Sequence, residues 1–188
     1  PYTYQPPEEA WRKLKRRFDE SDFQDSPNTG ISKKDLKKIL EHLSNPPAGM
    51  QPLSKVNRLL KNTNKLIDAG KLDWALGELL AYGSILLEGQ DVRMSGQDVK
   101  RGTFSHRHMV FFDSKNYAEY NRLNGLSDKQ GQVRIFNSLL SEFAVLGFEY
   151  GYSLATPETL VIWEAQFGDF ANGAQTVMDQ FISAAESK

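Results

Sequence analysis

Apolar segments recur along the chain after residue 72 and predict alternating helices and strands. Residues 74–87 are apolar nearly all round, which is typical of a buried helix, and Gly89 is a natural stop for it. Short apolar runs predict buried strands at 109–112 and 159–163, and 92–95 predicts a further short strand. A polar stretch, 114–132, predicts a long loop, and 172–183 predicts a closing helix. This alternation favours an α/β domain with a mainly parallel sheet.

The first 70 residues are more polar and predict amphipathic helices. Trp11, Leu14 and Phe18 have the spacing of one helical face. Nothing in this part of the chain has the spacing of a catalytic motif. We therefore expect a helical arm or linker over 1–70, followed by an α/β domain over 71–188.

The stretch 136–170 contains Glu142, an acidic residue whose apolar and aromatic sequence neighbours indicate a candidate binding site. The pattern places it inside an otherwise apolar helix that begins near 137–138, where both side chains are good caps. A strand follows, and it leads into a glycine flanked by Phe167 and Phe170. A buried acid that faces aromatic rings is suited to bind and protonate a heteroaromatic ring.

Spacing alone leaves the role of Glu142 open. An apolar pocket disfavours the charged form of a carboxyl group, which would make Glu142 a poised acid. The other interpretation is that Glu142 points outward or pairs with an arginine. Phe167 and Phe170 would then be ordinary core residues.

Two histidines lie close together in the segment 101–108. If this segment is a strand, His106 and His108 face the same side. A metal site would need a third ligand, and no suitable residue lies near them in the sequence. A hydrogen-bond donor or proton carrier for an anionic substrate is the favoured function. A structural role for one of the two histidines stays open.

Polar residues follow the predicted strand 92–95. Gly96 is followed directly by Gln97 and Asp98. In open α/β sheets, ligands gather at the carboxyl ends of the strands. Gln97 and Asp98 are therefore candidates for the support of a binding cleft.

Composition narrows the range of functions. The formal net charge of −1 gives no electrostatic reason to expect nucleic acid or an anionic membrane as a partner. We expect no membrane span, because no apolar run approaches the ~20 residues that one requires. The sequence contains no cysteine, which excludes disulfides, thiolate catalysis and cysteine-ligated zinc within the chain.

Three segments together carry a family resemblance. They are VRMSGQDVKRGTFSHRH at 92–108, SLLSEFAVLGFEYGY at 138–152 and WEAQFGDFANGAQ at 163–175. In this order they closely resemble the thiamine-diphosphate-dependent, decarboxylating component of 2-oxoglutarate dehydrogenase. The resemblance runs from about Asp73 to the last residue, whereas 1–70 is similar only to the connector that precedes this domain.

The resemblance implies a thiamine-diphosphate-binding fold of the transketolase-like, pyrimidine-binding type. It also implies that the chain is part of a longer enzyme and that this domain continues beyond residue 188. Magnesium and the diphosphate of the cofactor would be held by an upstream domain with a Gly-Asp-Gly signature. That signature does not occur in this sequence, so no metal ligand is expected here.

The resemblance also implies roles for cofactor-binding residues. Glu142 matches the glutamate that donates a hydrogen bond to the aminopyrimidine ring of thiamine diphosphate and sets its tautomer. Phe167 and Phe170 match the apolar wall around that ring, and Gln166 lies beside them in the sequence.

Substrate-binding roles follow from the same resemblance. His106 and His108 match a His-Arg-His element that is similar to part of the substrate or intermediate site, with His106 favoured as the residue nearer the reacting carbon. Gln97 and Asp98 would support the same cleft. The catalytic residues expected from the sequence are therefore Glu142, His106 and His108.

The family implies an oxidoreductase of the tricarboxylic acid cycle within a multienzyme complex. Its active sites lie between the subunits of a homodimer. It decarboxylates 2-oxoglutarate and passes the succinyl group to a lipoyl-bearing dihydrolipoamide succinyltransferase. The expected location is the bacterial cytoplasm, or the mitochondrial matrix if the source is eukaryotic.

Three alternatives stay open at the level of sequence. The enzyme could be a related 2-oxoadipate dehydrogenase or a carboligating 2-oxoglutarate decarboxylase, because substrate choice is set partly outside this segment. A non-catalytic dimerisation module is the third alternative. In each case we expect this segment alone to be inactive.

Overall fold

The computed structural model describes residues 9–14 and 20–184. The regular helices are α1 (Glu9–Leu14), α2 (Lys33–Leu43), α3 (Ser54–Asp68), α4 (Trp74–Leu87) and α5 (Glu142–Ala155). The strands are β1 (Val92–Gly96), β2 (Val110–Phe112), β3 (Glu119–Asn121), β4 (Val133–Asn137) and β5 (Leu160–Glu164). A short 3-10 turn spans Glu20–Phe23, and an irregular helical segment covers 168–182.

The main sheet has three parallel strands in the order β4-β1-β5, which confirms the predicted parallel α/β architecture. Val92 of β1 is in register with Val133 of β4 and with Leu160 of β5. The strand β4 was not predicted, although its buried Val133 and Ile135 alternate with less buried neighbours. The carboxyl ends of all three strands therefore meet at one edge of the sheet.

The core lies between this sheet and the helix α4. Leu79 and Leu86 of α4 are buried against Met94 of β1. The helix α2 adds Ile39 and Leu43 to the same core, and Gly83 of α4 allows the close approach of Ile39. A helix from the predicted arm thus packs on the α/β core, and the boundary at residue 70 stays a prediction.

The helix α5 is fixed to the sheet by a buried ion pair. Arg93 of β1 donates two hydrogen bonds to Glu149 of α5, at 2.7 and 2.9 Å. The guanidinium also stacks against the rings of Tyr152 and Phe136, at 4.4 and 4.7 Å from their centroids. The buried carboxylate of this helix is therefore Glu149, and it meets an arginine.

The start of α5 differs from the prediction. Asn137 still belongs to β4, so a helix cannot begin at 137–138. The cap is Ser141, whose hydroxyl accepts a hydrogen bond from the amide of Ala144 at 3.4 Å. Leu139 and Leu140 precede the helix and are exposed, so they do not surround Glu142 on a helical face.

Two further segments differ from the prediction. One is more ordered than predicted, and the other is less regular. The predicted loop 114–132 contains β3, which pairs with β2 in an antiparallel hairpin, and Leu123 and Leu126 of this segment are buried. The predicted closing helix is broken into 3-10, α and π turns between 168 and 182.

Phe18, which the sequence places on the first helix, lies outside the described residues. In the described part of the chain, no helix is both long enough and apolar enough to cross a membrane.

Candidate functional site

The carboxyl end of the parallel sheet brings together several predicted site residues. Gln97 follows β1, Gln166 follows β5, and Glu142 opens α5. The Nε2 of Gln97 lies 3.5 Å from the Oε1 of Glu142 and donates to it. All three residues line one small recess of about 10 Å³, roughly the room that one water molecule needs.

Glu142 is half-buried, and its position corrects the prediction of a carboxylate inside an apolar helix. It is the first residue of α5, where the helix dipole favours a negative charge. Gly173 lies against it, since a Cβ built on Gly173 would be 3.5 Å from the Oε2 of Glu142. The recess is too small for an aromatic ring, so a ring would have to lie on the open side of the carboxylate.

An exposed aromatic wall stands beside this edge of the sheet. The rings of Phe167 and Phe170 are 6.0 Å apart, and Phe104 meets Phe167 edge to face at 5.8 Å. The hydroxyl of Thr103 donates to the carbonyl of Gln166 at 2.9 Å and ties the two loops together. The sequence predicted Phe167 and Phe170 as the wall but missed Phe104, which has no periodic pattern to mark it.

The histidine segment is a loop, so the condition under which His106 and His108 would share one strand face is not met. Ser105 and His108 have positive φ angles of 54° and 40°, which no strand contains. His106 is exposed and packs against Gly102 and Phe104. His108 is half-buried. Although they do not share a strand face, both histidines line one cavity of about 640 Å³.

Asp98 is not among the residues around the recess of Glu142. It has a positive φ of 58° and forms an ion pair with Arg101. It lines a second, smaller cavity that it shares with His108. The predicted support residues Gln97 and Asp98 therefore line different cavities.

Arg107, which the sequence analysis missed, is the most deeply buried charged residue of this region at 1% exposure. Its guanidinium donates to Glu78 of α4 through Nε and Nη2, both at 2.9 Å. It also donates to Glu164 at the end of β5 and to the carbonyl of Val99. This single side chain holds the histidine loop between α4 and the strand that leads to Gln166.

The electrostatics of this network keep Arg107 charged. Burial alone would lower the pKa of Arg107, but the hydrogen bonds and attraction from Glu164 and Glu78 outweigh it and raise the pKa. Tyr82 donates to Glu78 at 2.8 Å, and burial together with that carboxylate raises the pKa of its phenol. The network is therefore a fixed structural element at neutral pH.

His108 has a depressed pKa and should be neutral near pH 7. Burial lowers it below 6.5, and the cations Lys55, Arg101 and Arg122 lower it further. We expect the NMR titration midpoint of His108 to lie below 6.5 and to rise in Lys55→Ala, because that change removes a repelling charge. Lys61→Ala, an exposed change on the same helix, should leave the midpoint in place.

The lowered pKa of His108 makes the free energy of unfolding depend on pH. Between the folded pKa and 6.5, the unfolded chain binds more protons at His108 than the folded chain does. The contribution of His108 to the free energy of unfolding is therefore present above pH 6.5 and falls as the pH drops through that value. An unchanged or higher midpoint in the folded chain would contradict the burial of this imidazole.

Within 9–14 and 20–184, no group of three or more histidine or acidic side chains is placed to hold a metal ion.

Comparison with known proteins assigns the chain to a family. Residues 70–188 match the family described as "Transketolase, pyrimidine binding domain". The chain belongs to this family. The predicted fold class is thereby confirmed, and the parallel sheet of the transketolase pyrimidine-binding domain is the scaffold that carries Gln97, Glu142 and Gln166.

Curated relatives confirm the resemblance found in the sequence. The chain is 53% identical over 163 residues to "2-oxoglutarate dehydrogenase, mitochondrial" of Caenorhabditis elegans, a match that covers 86% of the chain and 16% of the relative. It is 49% identical over 180 residues to the "2-oxoglutarate dehydrogenase E1 component" of Brucella ovis, covering 95% of the chain and 18% of the relative. The chain thus spans less than a fifth of the length of these relatives.

Proposed function

We propose that this pyrimidine-binding domain is part of the thiamine-diphosphate-dependent component that decarboxylates 2-oxoglutarate in the 2-oxoglutarate dehydrogenase complex. The observation that carries the proposal is that Glu142 and Gln166 line one recess at the carboxyl end of the sheet, and that Gln166 is followed directly by Phe167 of the aromatic wall. It is supported by relatives named "2-oxoglutarate dehydrogenase, mitochondrial" and "2-oxoglutarate dehydrogenase E1 component", whose matches cover 86% and 95% of the chain.

The residues present fit the aminopyrimidine half of thiamine diphosphate. A protonated Glu142 would donate a hydrogen bond to a ring nitrogen, and Gln97 orients its carboxyl group. Phe167 and Phe170 offer ring faces for stacking and keep water away from that hydrogen bond. The backbone of Gln166, held by Thr103, sets the distance between wall and acid.

Thiamine diphosphate supplies the electron sink that decarboxylation of a 2-oxo acid requires. In this proposal, the residues of this chain bind and orient the aminopyrimidine ring and the substrate. Glu142 holds a proton at the ring, and neutral His108 is an acceptor or donor for the substrate in the adjoining cavity. His106 is exposed at the mouth of the same cavity. Diphosphate and Mg²⁺ are bound by another domain.

A homodimer completes the site. The region of α5 exposes large apolar side chains that a lone subunit would leave in water: Phe136, Leu139, Leu140, Phe143 and Phe148. Pairing of this face with a second subunit would cover them and close the open side of Glu142. The arm 1–70 connects this domain, 71–188, to the domain that precedes it.

The acyl acceptor in this proposal is the lipoyl group of dihydrolipoamide succinyltransferase. The compartment follows the source, bacterial cytoplasm or mitochondrial matrix. The curated relatives include a protein named as mitochondrial and a bacterial one.

Turnover by the full-length protein tests the proposal against its rivals. We expect reduction of an artificial electron acceptor with 2-oxoglutarate and thiamine diphosphate, and a lower kcat/KM with 2-oxoadipate. A higher kcat/KM with 2-oxoadipate would indicate the 2-oxoadipate dehydrogenase. Carboligation products without lipoyl-dependent transfer would indicate the decarboxylase, and no turnover with any 2-oxo acid would leave the dimerisation module.

A further inference from the structure

Arg122 is a buried arginine that forms no ion pair with any acid among residues 9–14 and 20–184. It lies just after β3 and is 4% exposed. Its Nη2 donates to the carbonyl of Leu43 at 3.0 Å, and its guanidinium stacks on the ring of Phe111 at 4.7 Å. Its Nε has no hydrogen-bond partner, and no carboxylate forms an ion pair with it, in the part of the chain that the structure describes.

Such an arrangement is unusual because a buried charge normally has a partner. Arg107 is also buried, but its guanidinium donates hydrogen bonds to two carboxylates, those of Glu78 and Glu164. Burial lowers the pKa of Arg122 to about 10, which still leaves the group charged at neutral pH. A guanidinium that is charged at neutral pH and has no carboxylate partner among the described residues therefore lies inside the fold.

Arg122 lines the cavity of about 640 Å³ that also contains both histidines. The other cations of this cavity are Lys55 and Arg58 of α3, which are exposed and form no ion pair within the described ranges. Among the described residues of its lining the one acid is Asp73, which caps α4 by accepting a hydrogen bond from the amide of Leu76 at 2.8 Å. The cavity has a net positive lining.

The size and the walls of the cavity limit what it can hold. Its volume lies in the range of small-molecule sites, roughly 300–1,000 Å³. Leucines of α3 and α4 form apolar walls: Leu59, Leu66, Leu76 and Leu79. The matching ligand has an anionic group at one end and an apolar or neutral body.

We propose that this cavity is a binding site for a small organic anion, with Arg122 contacting a carboxylate or phosphate group and with Lys55 and Arg58 adding charge at the entrance. The cavity extends to Phe104, which packs on Phe167 of the aromatic wall. The bound anion therefore lies alongside the proposed cofactor site. Only the source of the anion rests on the proposed function.

Two sources share this chemistry. The anionic group is either the second carboxylate of a dicarboxylic 2-oxo acid substrate or part of a separate ligand. Succinate serves as a probe for the first, since it has two carboxylates and no keto group. Inorganic phosphate serves as a probe for the second.

The experiment measures binding of succinate and of inorganic phosphate to the full-length protein by titration calorimetry. Loss of a charge-assisted contact is expected to weaken binding of the preferred probe about tenfold in Arg122→Met. Lys55→Ala should weaken it severalfold. Lys61→Ala removes the same charge from an exposed position on α3 outside the cavity and should have no effect.

Kinetics then assign the source. If the anion is the second carboxylate, Arg122→Met raises KM for 2-oxoglutarate about tenfold and leaves KM for the monocarboxylic 2-oxobutyrate unchanged. If it belongs to a separate ligand, both KM values stay the same while probe binding is still lost. Either result supports the site.

The proposal is overturned if neither probe binds the wild-type protein, or if Arg122→Met binds both as the wild type does. Should Arg122→Met fail to fold, the double variant Lys55→Ala with Arg58→Ala takes its place, since both residues are exposed. Unchanged probe binding in that variant would equally overturn the site. Failure of the proposed function would appear as absent turnover with probe binding intact.

Discussion

Replacement of Glu142 by glutamine in the full-length protein should lower 2-oxoglutarate-dependent acceptor reduction by roughly 10²–10⁴-fold, the usual size of a general acid–base contribution. Glutamine keeps the shape of the side chain, but it has no acidic proton to give to the ring. The hydrogen bond from Gln97 to the carbonyl oxygen can persist. The cofactor should therefore still bind, and the loss should fall on kcat.

The measurement pairs steady-state turnover with titration of thiamine diphosphate. Glu158→Gln is the matched control, because this exposed residue precedes β5 at the opposite edge of the sheet. It should retain full activity. Near wild-type turnover in Glu142→Gln would move the site away from this carboxylate and toward the histidine cavity.

Arg107→Met should lower the free energy of unfolding of the 188-residue chain by about 3 kcal/mol, near the lower end expected when one partner of a buried ion pair is removed. The change leaves Glu78 and Glu164 facing each other without a cation. Their side chains are 23% and 29% exposed, so water can relieve part of the cost. Urea unfolding followed by circular dichroism gives the value.

The same substitution at an ion pair whose arginine is more accessible to solvent provides the control. Arg134 lies 2.9 Å from Asp91, and their side chains are 38% and 30% exposed. Because the Arg134 guanidinium stays in contact with water, whereas that of Arg107 is buried, we expect this pair to contribute less than about 1 kcal/mol and Arg134→Met to change stability little. Equal losses in the two variants would show that the Arg107 network is no stronger than an ordinary surface pair.

The fold was predictable where the pattern was local. The continuous apolar character of α4 and the short runs of β1 and β5 indicated a parallel α/β domain. The strand β4 was missed because its alternation is short and runs directly into the apolar residues 139–140. Those residues were assigned to a helix, although they form the exposed approach to α5.

The candidate site was predictable only in part. Helical periodicity could not tell Glu142 from Glu149, because both lie among apolar residues of one helix. Tertiary structure separates them, since Arg93 of a neighbouring strand neutralises Glu149 and leaves Glu142 at the open edge. The resemblance to a known family selected Glu142, and its catalytic role stays a prediction.

The long-range ion pairs could not be predicted from the local sequence pattern. Arg107 meets Glu78 and Glu164, which are 29 and 57 positions away, and no local spacing encodes such contacts. The burial of Arg122 was hidden for the same reason, because 114–132 is polar and was taken for a loop. Its packing depends on a carbonyl of α2, 79 positions away.

The position of β1 at the centre of the parallel sheet has a consequence for how the chain folds. Its two hydrogen-bonding partners arrive only about 40 and 70 residues later in the sequence. Contacts of such separation slow folding, because loop entropy is lost before the strands pair. During synthesis, the hydrogen-bonding edges of this buried strand stay unpaired until β4 and then β5 have left the ribosome. In that interval the unpaired strand is accessible to a chaperone, or to misassociation with another chain.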